Sequence, residues 1–248
     1  MNLINSENVF GDIRNQGYSI VENFLTTDEL SKARGEYFAC MDQCRPHPQG
    51  EPFRPIELNG SPWRKFAVGS KTGSGEPYSQ VLQTTYIAQR DKTYPQLTKI
   101  FNHMIRIRNE MTGMSLDFGA DLSSDDFWNA CRLHHYPRGG GHMASHRDTL
   151  FPRLLSEFEF PFMQMMVTLS NRGEDFFNGG GYVYNKAGEK IFFETEKNAG
   201  SLIFFNGETV HGVEDVDPDE LLDMNEKKGR IAIFVNLYAN LHKEVGTA

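Results

Sequence analysis

The stretch Tyr136-Pro-Arg-Gly-Gly-Gly-His-Met-Ala-Ser-His-Arg-Asp148 joins a glycine-rich turn to a His-x-Asp pair. In an extended segment, residues two apart project from the same face, so the His146 imidazole and the Asp148 carboxylate can reach one ion. A second histidine on a neighbouring strand would complete a face of two histidines and one carboxylate and leave the opposite positions open. That donor set suits iron(II) chemistry, in which oxygen and a co-substrate bind together.

Two later stretches supply the other candidates. Gly200-Ser-Leu-Ile-Phe-Phe-Asn-Gly-Glu-Thr-Val-His211 ends an apolar run with a histidine, and Gly229-Arg-Ile-Ala-Ile-Phe-Val-Asn236 opens one with an arginine. Neither signal is specific alone, because a histidine after an apolar strand is often a hydrogen-bonded structural residue. His211 is a candidate for the second histidine that would complete a metal site with His146 and Asp148.

After Phe127, short apolar stretches alternate with turns that contain Gly, Asn and Asp. Short strands at this spacing are typical of an all-β sandwich or barrel. The candidate strands are Asn129–Tyr136, Phe162–Leu169, Gly181–Asn185, Lys190–Phe193, Ser201–Phe205, His211–Val213 and Arg230–Tyr238. We therefore predict a mainly β single domain over residues 1–248, with the barrel core in residues 127–241 and flanking helices.

Residues 1–126 are predicted to form a helical support and a lid region. Gly17–Leu25 reads as a short strand, and Thr26-Thr-Asp-Glu29 resembles a capping box that starts a helix ending near Gln43. Apolar residues near helical spacing predict a second helix over Tyr94–Thr112. The Pro- and Gly-rich segment Arg45–Glu76 predicts a long loop of the lid or substrate-binding type.

Composition narrows the class of partner. A net charge of -8 argues against nucleic acid or an anionic membrane surface, because both need a basic patch. The sequence contains no apolar run near the length of a transmembrane helix and no signal-peptide pattern at its start. The odd count of 3 cysteines is typical of reduced thiols. We expect a cytoplasmic protein with a small-molecule partner, and a homodimer remains open.

The order of a His-x-Asp pair, a distal histidine and an arginine that opens a strand resembles the Fe(II)/2-oxoglutarate-dependent oxygenase superfamily. The resemblance covers roughly Phe127 to Tyr238 and is strongest to the branch in which a Tyr-Pro-x-Gly-Gly turn precedes His-x-Asp. It implies a double-stranded β-helix, a jelly-roll or cupin-like barrel. It also implies a hydroxylase that needs Fe(II), O2 and 2-oxoglutarate and releases succinate and CO2.

The resemblance assigns roles to individual residues. His146, Asp148 and His211 match the iron ligands. Arg230 matches the arginine that binds the far carboxylate of 2-oxoglutarate, and Thr168 and Tyr136 match residues that line the same pocket. The carboxylate of Asp148 implies hydroxylation, since related halogenases carry a small residue there.

One segment departs from the pattern of the superfamily. In many relatives the arginine follows the distal histidine more closely, whereas here Glu214–Gly229 intervenes. The acidic and polar composition of this segment predicts a surface insertion.

The expected substrate is a free amino acid or a related polar metabolite with an unactivated C–H bond, as in compact bacterial relatives. Candidate substrate contacts are Arg64, Asn129, Arg132 and Asn236. Several alternatives stay open: an oxygenase acting on a protein side chain, desaturation or cyclisation of a secondary metabolite, a non-redox barrel metalloenzyme such as a zinc hydrolase, and a non-catalytic binding module.

Overall fold

The computed structural model of the chain describes residues 4–46, 62–71, 77–120, 127–148 and 163–239. The helices are α1 (Ser6–Gln16), α2 (Thr27–Gln43) and α3 (Pro95–Met111). The strands are β1 (Tyr18–Val21), β2 (Arg45–Pro46), β3 (Trp63–Lys71), β4 (Tyr78–Ile87), β5 (Phe127–Pro137), β6 (Gly141–His146), β7 (Met163–Thr168), β8 (Gly180–Tyr184), β9 (Lys190–Phe192), β10 (Leu202–Asn206), β11 (His211–Val216) and β12 (Gly229–Ala239).

The strands form a curled, almost wholly antiparallel half-barrel. Strands β5, β12, β7 and β10 lie side by side in one layer, and β6, β11, β8 and β9 form the other. Strand β4 pairs with both β5 and β6 and so joins the two layers. This interleaved order is that of a double-stranded β-helix, so the predicted mainly β jelly-roll fold is confirmed. The prediction of one domain stays a prediction.

The two faces of β5 contact different parts of the molecule, because side chains alternate along a strand. Cys131 and Leu133 face outward and pack with Tyr37 of α2 and Phe101 of α3 in the main apolar cluster. Arg132, which lies between them, faces the interior of the half-barrel and lines a cavity there. The helices therefore cover the outer face of this layer and leave its inner face for the site.

Local signals in the N-terminal half predicted α2 and α3 correctly. The Thr26 hydroxyl accepts a hydrogen bond from the Glu29 backbone N–H at 3.3 Å, and the Glu29 carboxylate accepts one from the Thr26 N–H at 3.1 Å, which is the predicted capping box. All seven predicted strands are present with their ends shifted by a few residues. Helix α1 and strands β2, β3, β4 and β6 were not predicted. No helix in the described ranges has the length and apolar character needed to cross a bilayer.

The predicted loop Arg45–Glu76 is wrong for Trp63–Lys71, which form strand β3. This strand pairs with β4 along its whole length, and among the described residues the two-residue β2 is the one partner on its other side. Phe66 and Val68 are exposed there, so the strand lacks the apolar alternation that marks a half-buried strand. The rest of the expected lid, residues 47–61 and 72–76, lies outside the described residues.

The predicted insertion Glu214–Gly229 begins as the end of β11 and then folds back over the turn between β5 and β6. The Gly139 N–H donates to the Asp217 carbonyl at 3.0 Å, and Arg138 Nε donates to the Asp217 carboxylate at 2.9 Å. A Cβ on Gly139 would lie 2.4 Å from the Leu222 nitrogen. The inserted segment is therefore packed tightly against the turn that precedes His146.

Candidate active site

Strand pairing brings the two histidines of the predicted site together. His146 at the end of β6 lies opposite His211 at the start of β11, and their ring centroids are 4.3 Å apart. Asp148 follows β6, where its backbone N–H donates to the Gly207 carbonyl at 3.0 Å. Its carboxylate oxygens lie 3.8 Å from His146 Nε2 and 3.6 Å from His211 Nε2. One ligand atom from each residue lies within 4.8 Å of the others, as a common metal ion requires.

Backbone hydrogen bonds orient both imidazoles. The Nδ1 atom of His146 donates to the Ala144 carbonyl at 3.0 Å, and that of His211 donates to the Thr209 carbonyl at 2.9 Å. These bonds place the proton on Nδ1 and leave the Nε2 lone pairs for a metal. Two histidines and one carboxylate on one side of an ion are the donor set of non-haem iron(II) sites with open coordination positions. The residues present therefore fit Fe(II).

Aromatic rings hold the two histidines from the sides. Tyr78 stacks on His146 with ring centroids 4.4 Å apart, and Phe205 lies 4.6 Å from His211. Burial, with a smaller contribution from the Asp148 carboxylate, raises the pKa of Tyr78 to about 12. Tyr78 is therefore a neutral phenol at physiological pH.

The cluster lies in the wall of a cavity of about 1040 Å³ inside the half-barrel. This volume is at the upper end of the range for small-molecule sites. Of the predicted site residues, the cavity is lined by His146, Asp148, His211, Arg230, Tyr136, Arg132 and Asn236. The fold therefore gathers seven of the ten candidates around one space.

Arg230 lies deep in this cavity with only 2% of its side chain exposed. Its Nε donates to the Glu194 carboxylate at 2.6 Å, and its guanidinium lies 5.2 Å from the centre of the Tyr136 ring. The same carboxylate accepts a hydrogen bond from the Gly181 N–H at 2.8 Å. Burial raises the pKa of Tyr136, which keeps its hydroxyl protonated.

Gly181 makes room for this arginine. A Cβ at that position would lie 2.4 Å from Arg230 Nη2, so a larger residue would displace the guanidinium. Glu194 and Gly181 were not predicted as site residues. No local pattern marks them, because their role depends on a contact with a strand far along the chain.

Three predicted residues do not line the cavity. The Thr168 hydroxyl donates to the Asn198 carbonyl at 3.2 Å. Asn129 lies on the helix-facing side of β5, where it accepts a hydrogen bond from Arg108 at 2.7 Å. Arg64 lies on β3 with its guanidinium 4.9 Å from the Phe66 ring centre. For Asn129 the reason is strand parity: a shift of one position along a strand sends the side chain to the opposite face.

Arg132 of β5 and Asn236 of β12 are diagonal neighbours on adjacent strands inside the cavity. Arg132 donates through Nη2 to the Asn236 side-chain oxygen and through Nη1 to the Tyr238 hydroxyl at 2.6 Å. The Asn236 amide nitrogen donates to the Gln164 side-chain oxygen at 2.6 Å. Gln164 thereby orients the Asn236 oxygen towards Arg132.

No protein-family model matches the chain, and no curated protein matches it either. Its structure is similar to a prolyl hydroxylase from Trichoplax adhaerens in complex with a peptide fragment of the hypoxia-inducible factor oxygen degradation domain, at 13% identity and a TM-score of 0.55 over 94% of this chain and 89% of that one. It is also similar to a Pseudomonas putida prolyl-4-hydroxylase, at 16% identity and a TM-score of 0.53 over 95% and 99% of the two chains.

A third similar structure is the non-haem α-ketoglutarate-dependent epimerase SnoN from nogalamycin biosynthesis, at 13% identity and a TM-score of 0.50 over 94% of this chain and 82% of that one. At these identities the comparisons establish the fold. The chain has the jelly-roll fold of the 2-oxoglutarate oxygenases, and its cluster of His146, Asp148 and His211 is consistent with that superfamily.

Proposed function

We propose that this protein is a dioxygenase that uses Fe(II), O2 and 2-oxoglutarate to hydroxylate a C–H bond of a small molecule, with release of succinate and CO2. The observation that carries the proposal is the convergence of His146, Asp148 and His211 on the wall of a cavity that also contains a buried arginine, Arg230. A zinc hydrolase would need the metal ligands but not a buried cation for a co-substrate.

The three ligands would hold the metal from one side. Bound there, Fe(II) would supply the activation of oxygen that is coupled to oxidative decarboxylation of 2-oxoglutarate. The protein contributes fixed ligand positions: the Nδ1 hydrogen bonds of both histidines prevent ring rotation, and the Asp148 backbone N–H bond to Gly207 anchors the carboxylate. Such supporting hydrogen bonds are needed for tight metal binding.

Arg230 would bind the far carboxylate of 2-oxoglutarate, and Tyr136 would line the same end of the cavity. A planar guanidinium matches a carboxylate, and the interaction is strong where water is excluded. Glu194 occupies the Nε side of Arg230 and the Met166 sulfur lies 3.5 Å from Nη2, which leaves Nη1 as the group available to the co-substrate. Thr168 would support this end indirectly, through the Asn198 carbonyl that accepts its hydroxyl hydrogen bond.

A small-molecule substrate is favoured because the polar groups left for it, Arg132 and Asn236, lie inside the half-barrel. One similar protein was solved with a peptide, so a protein side chain is the alternative that product analysis must test. A product that is heavier than the substrate by one oxygen atom would indicate hydroxylation and not desaturation or cyclisation. A cytoplasmic location and a homodimer stay predictions.

The test is succinate formation by the purified protein with Fe(II), O2 and 2-oxoglutarate, together with oxygen uptake. We expect both to depend on 2-oxoglutarate, and oxygen uptake independent of it would contradict the proposal. Asp148→Ala should lower succinate formation more than about 100-fold, because it removes a metal ligand. The matched control is Asp215→Ala, which removes an exposed carboxylate of β11 and should leave the rate unchanged. Full activity of the Asp148 variant would refute the ligand assignment.

Arg230→Ala should chiefly raise the concentration of 2-oxoglutarate needed for half-maximal rate. Direct titration of 2-oxoglutarate into the metal-loaded protein measures the same change without turnover. An unchanged 2-oxoglutarate requirement would exclude the proposed role of Arg230.

A further inference from the structure

The charge of the cavity is opposite to that of the whole chain. The chain has a net charge of -8, yet the described residues that line the cavity include four cationic side chains and a single carboxylate. The carboxylate is Asp148, and the cations are Lys65, Arg132, Arg147 and Arg230. A cavity of this composition attracts anionic ligands.

Only one of these cations is both sheltered and not assigned to the metal or the co-substrate. Lys65 and Arg147 are exposed, so water screens them. Arg230 is assigned to the co-substrate and has Glu194 as its counter-charge. Arg132 is partly buried, and because it lines the cavity, the surface it exposes is part of the cavity wall.

The groups in contact with Arg132, Tyr86 among them, are polar or aromatic but uncharged, and the Asp148 carboxylate of the metal site acts on it only from beyond ion-pair distance. Its guanidinium donates to the Asn236 amide oxygen and the Tyr238 hydroxyl, and it lies 5.9 Å from the Phe234 ring centre. Within the described ranges no carboxylate forms an ion pair with it, and its buried Nε has no hydrogen-bond acceptor. Sheltering a charge among neutral groups is costly unless a ligand supplies the opposite charge.

Arg132 and Arg230 lie at different ends of the cavity. In the pairing of β5 with β12, Arg132 is opposite Phe234 and Arg230 is opposite Tyr136. Four residues along an antiparallel strand span about 14 Å. The guanidinium groups also diverge, since that of Arg230 lies over Tyr136 and that of Arg132 lies 5.1 Å from the Tyr238 ring centre. The two arginines therefore serve two separate anionic groups.

We propose that the primary substrate carries a carboxylate and that the Arg132 guanidinium binds it, with Asn236 and Tyr238 holding the guanidinium in place. This inference rests on the proposed function for the position of the co-substrate. A single planar cation matches a carboxylate, whereas phosphates are commonly bound by several donors that include backbone N–H groups. The substrate class is thus a small carboxylic acid, and a free amino acid belongs to it.

The test compares carboxylic acids with their own amides as ligands. The proteinogenic L-amino acids and benzoate are each titrated against their primary amides, with phenyl phosphate as a further probe. Binding is measured by calorimetry with the protein alone and again with Mn(II) and N-oxalylglycine, a stable analogue of the co-substrate, in place. We expect acids of the panel to bind at least about tenfold more tightly than their amides, since a charge-assisted bond is lost in the amide.

Three variants connect that preference to Arg132. Arg132→Met should abolish it. Asn236→Asp keeps the shape of the site and places a carboxylate beside Arg132, so it should abolish the preference without removing packing. Arg64→Met is the matched control, because it removes an arginine of β3 that does not line the cavity. A preference that survives both Arg132→Met and Asn236→Asp overturns the proposal.

The other outcomes are equally decisive. Equal binding of acids and amides across the panel overturns the proposal, and tighter binding of phenyl phosphate than of every acid overturns the choice of carboxylate. A preference for acids that depends on Arg132 in a protein that forms no succinate would keep this inference and refute the proposed function. Turnover that depends on 2-oxoglutarate and is stimulated equally by acids and amides would keep the proposed function and refute this inference.

Discussion

The buried pair of Glu194 and Arg230 can be tested by a double-mutant cycle. The two side chains are 1% and 2% exposed and are joined by a hydrogen bond of 2.6 Å. Glu194→Gln keeps the shape, but its single amide oxygen can replace only one of the two carboxylate oxygens that accept from Arg230 and from the Gly181 N–H, and it leaves Arg230 without a counter-charge. Breaking a buried pair from one side costs about 3–5 kcal/mol. With the amide oxygen turned towards Arg230 the Nε hydrogen bond is kept and the Gly181 bond is lost, so we expect about 3 kcal/mol, the lower end of this range.

The expected change in melting temperature follows from this loss of unfolding free energy and from the length of the chain. For chains of this length 1 kcal/mol lowers Tm by about 2–4 °C, so Glu194→Gln should lower it by about 6–12 °C. Arg230→Met should destabilise in the same way, because it leaves the Glu194 charge buried. The double variant Glu194→Gln, Arg230→Met contains no buried charge at this position and should lose clearly less than the two single variants together.

The assay is urea denaturation of the wild type, both single variants and the double variant at neutral pH. Asp28→Asn is the control, since it breaks the exposed pair with Lys32 and should change the free energy of unfolding little. Losses that simply add in the double variant would refute the argument that Glu194 and Arg230 compensate each other.

Three further predictions follow from particular contacts. Thr26→Ala removes the capping box with Glu29 and should lower the free energy of unfolding by about 1 kcal/mol, measured by urea denaturation; no change would mean that the cap is not populated. Burial lowers the pKa of His135 from 6.5 to about 4, so the unfolded chain takes up a proton first as the pH falls. Stability should therefore drop by about 3 kcal/mol between pH 6.5 and 4 and not respond to this group above that window, and a His135→Gln variant with the same pH profile would contradict this. Gly181→Ala should displace the Arg230 guanidinium and weaken the binding of 2-oxoglutarate in a direct titration; unchanged affinity would show that the arginine is not held there.

Local sequence patterns were enough to predict most of the secondary structure. The capping box at Thr26 marks the start of α2, and helical spacing of apolar residues marks α3. These patterns reflect contacts within a few residues of each other, so they can be recognised without the fold. Strand β3 was not predicted, because an exposed strand carries no regular apolar alternation and so has no local pattern to recognise.

The sequence also determined which residues converge at the candidate metal site. His146 and Asp148 are close in the chain, and the order of glycine turn, His-x-Asp, distal histidine and arginine resembles that of the 2-oxoglutarate oxygenases, which implied a barrel that brings His211 to them. Substrate contacts were harder to predict, because the side on which a residue projects depends on the strand register. Arg132 and Asn236 reach the cavity, whereas Asn129, three positions before Arg132 on the same strand, faces the helices.

The balance of charge inside the cavity was decided by the tertiary structure alone. Nothing near Glu194 in the sequence indicates that it neutralises Arg230, and nothing near Arg132 indicates that it has no carboxylate partner among the described residues. Coulomb interactions depend on distance in space and on exclusion of water, and both arise only when the two layers of the half-barrel close around the site.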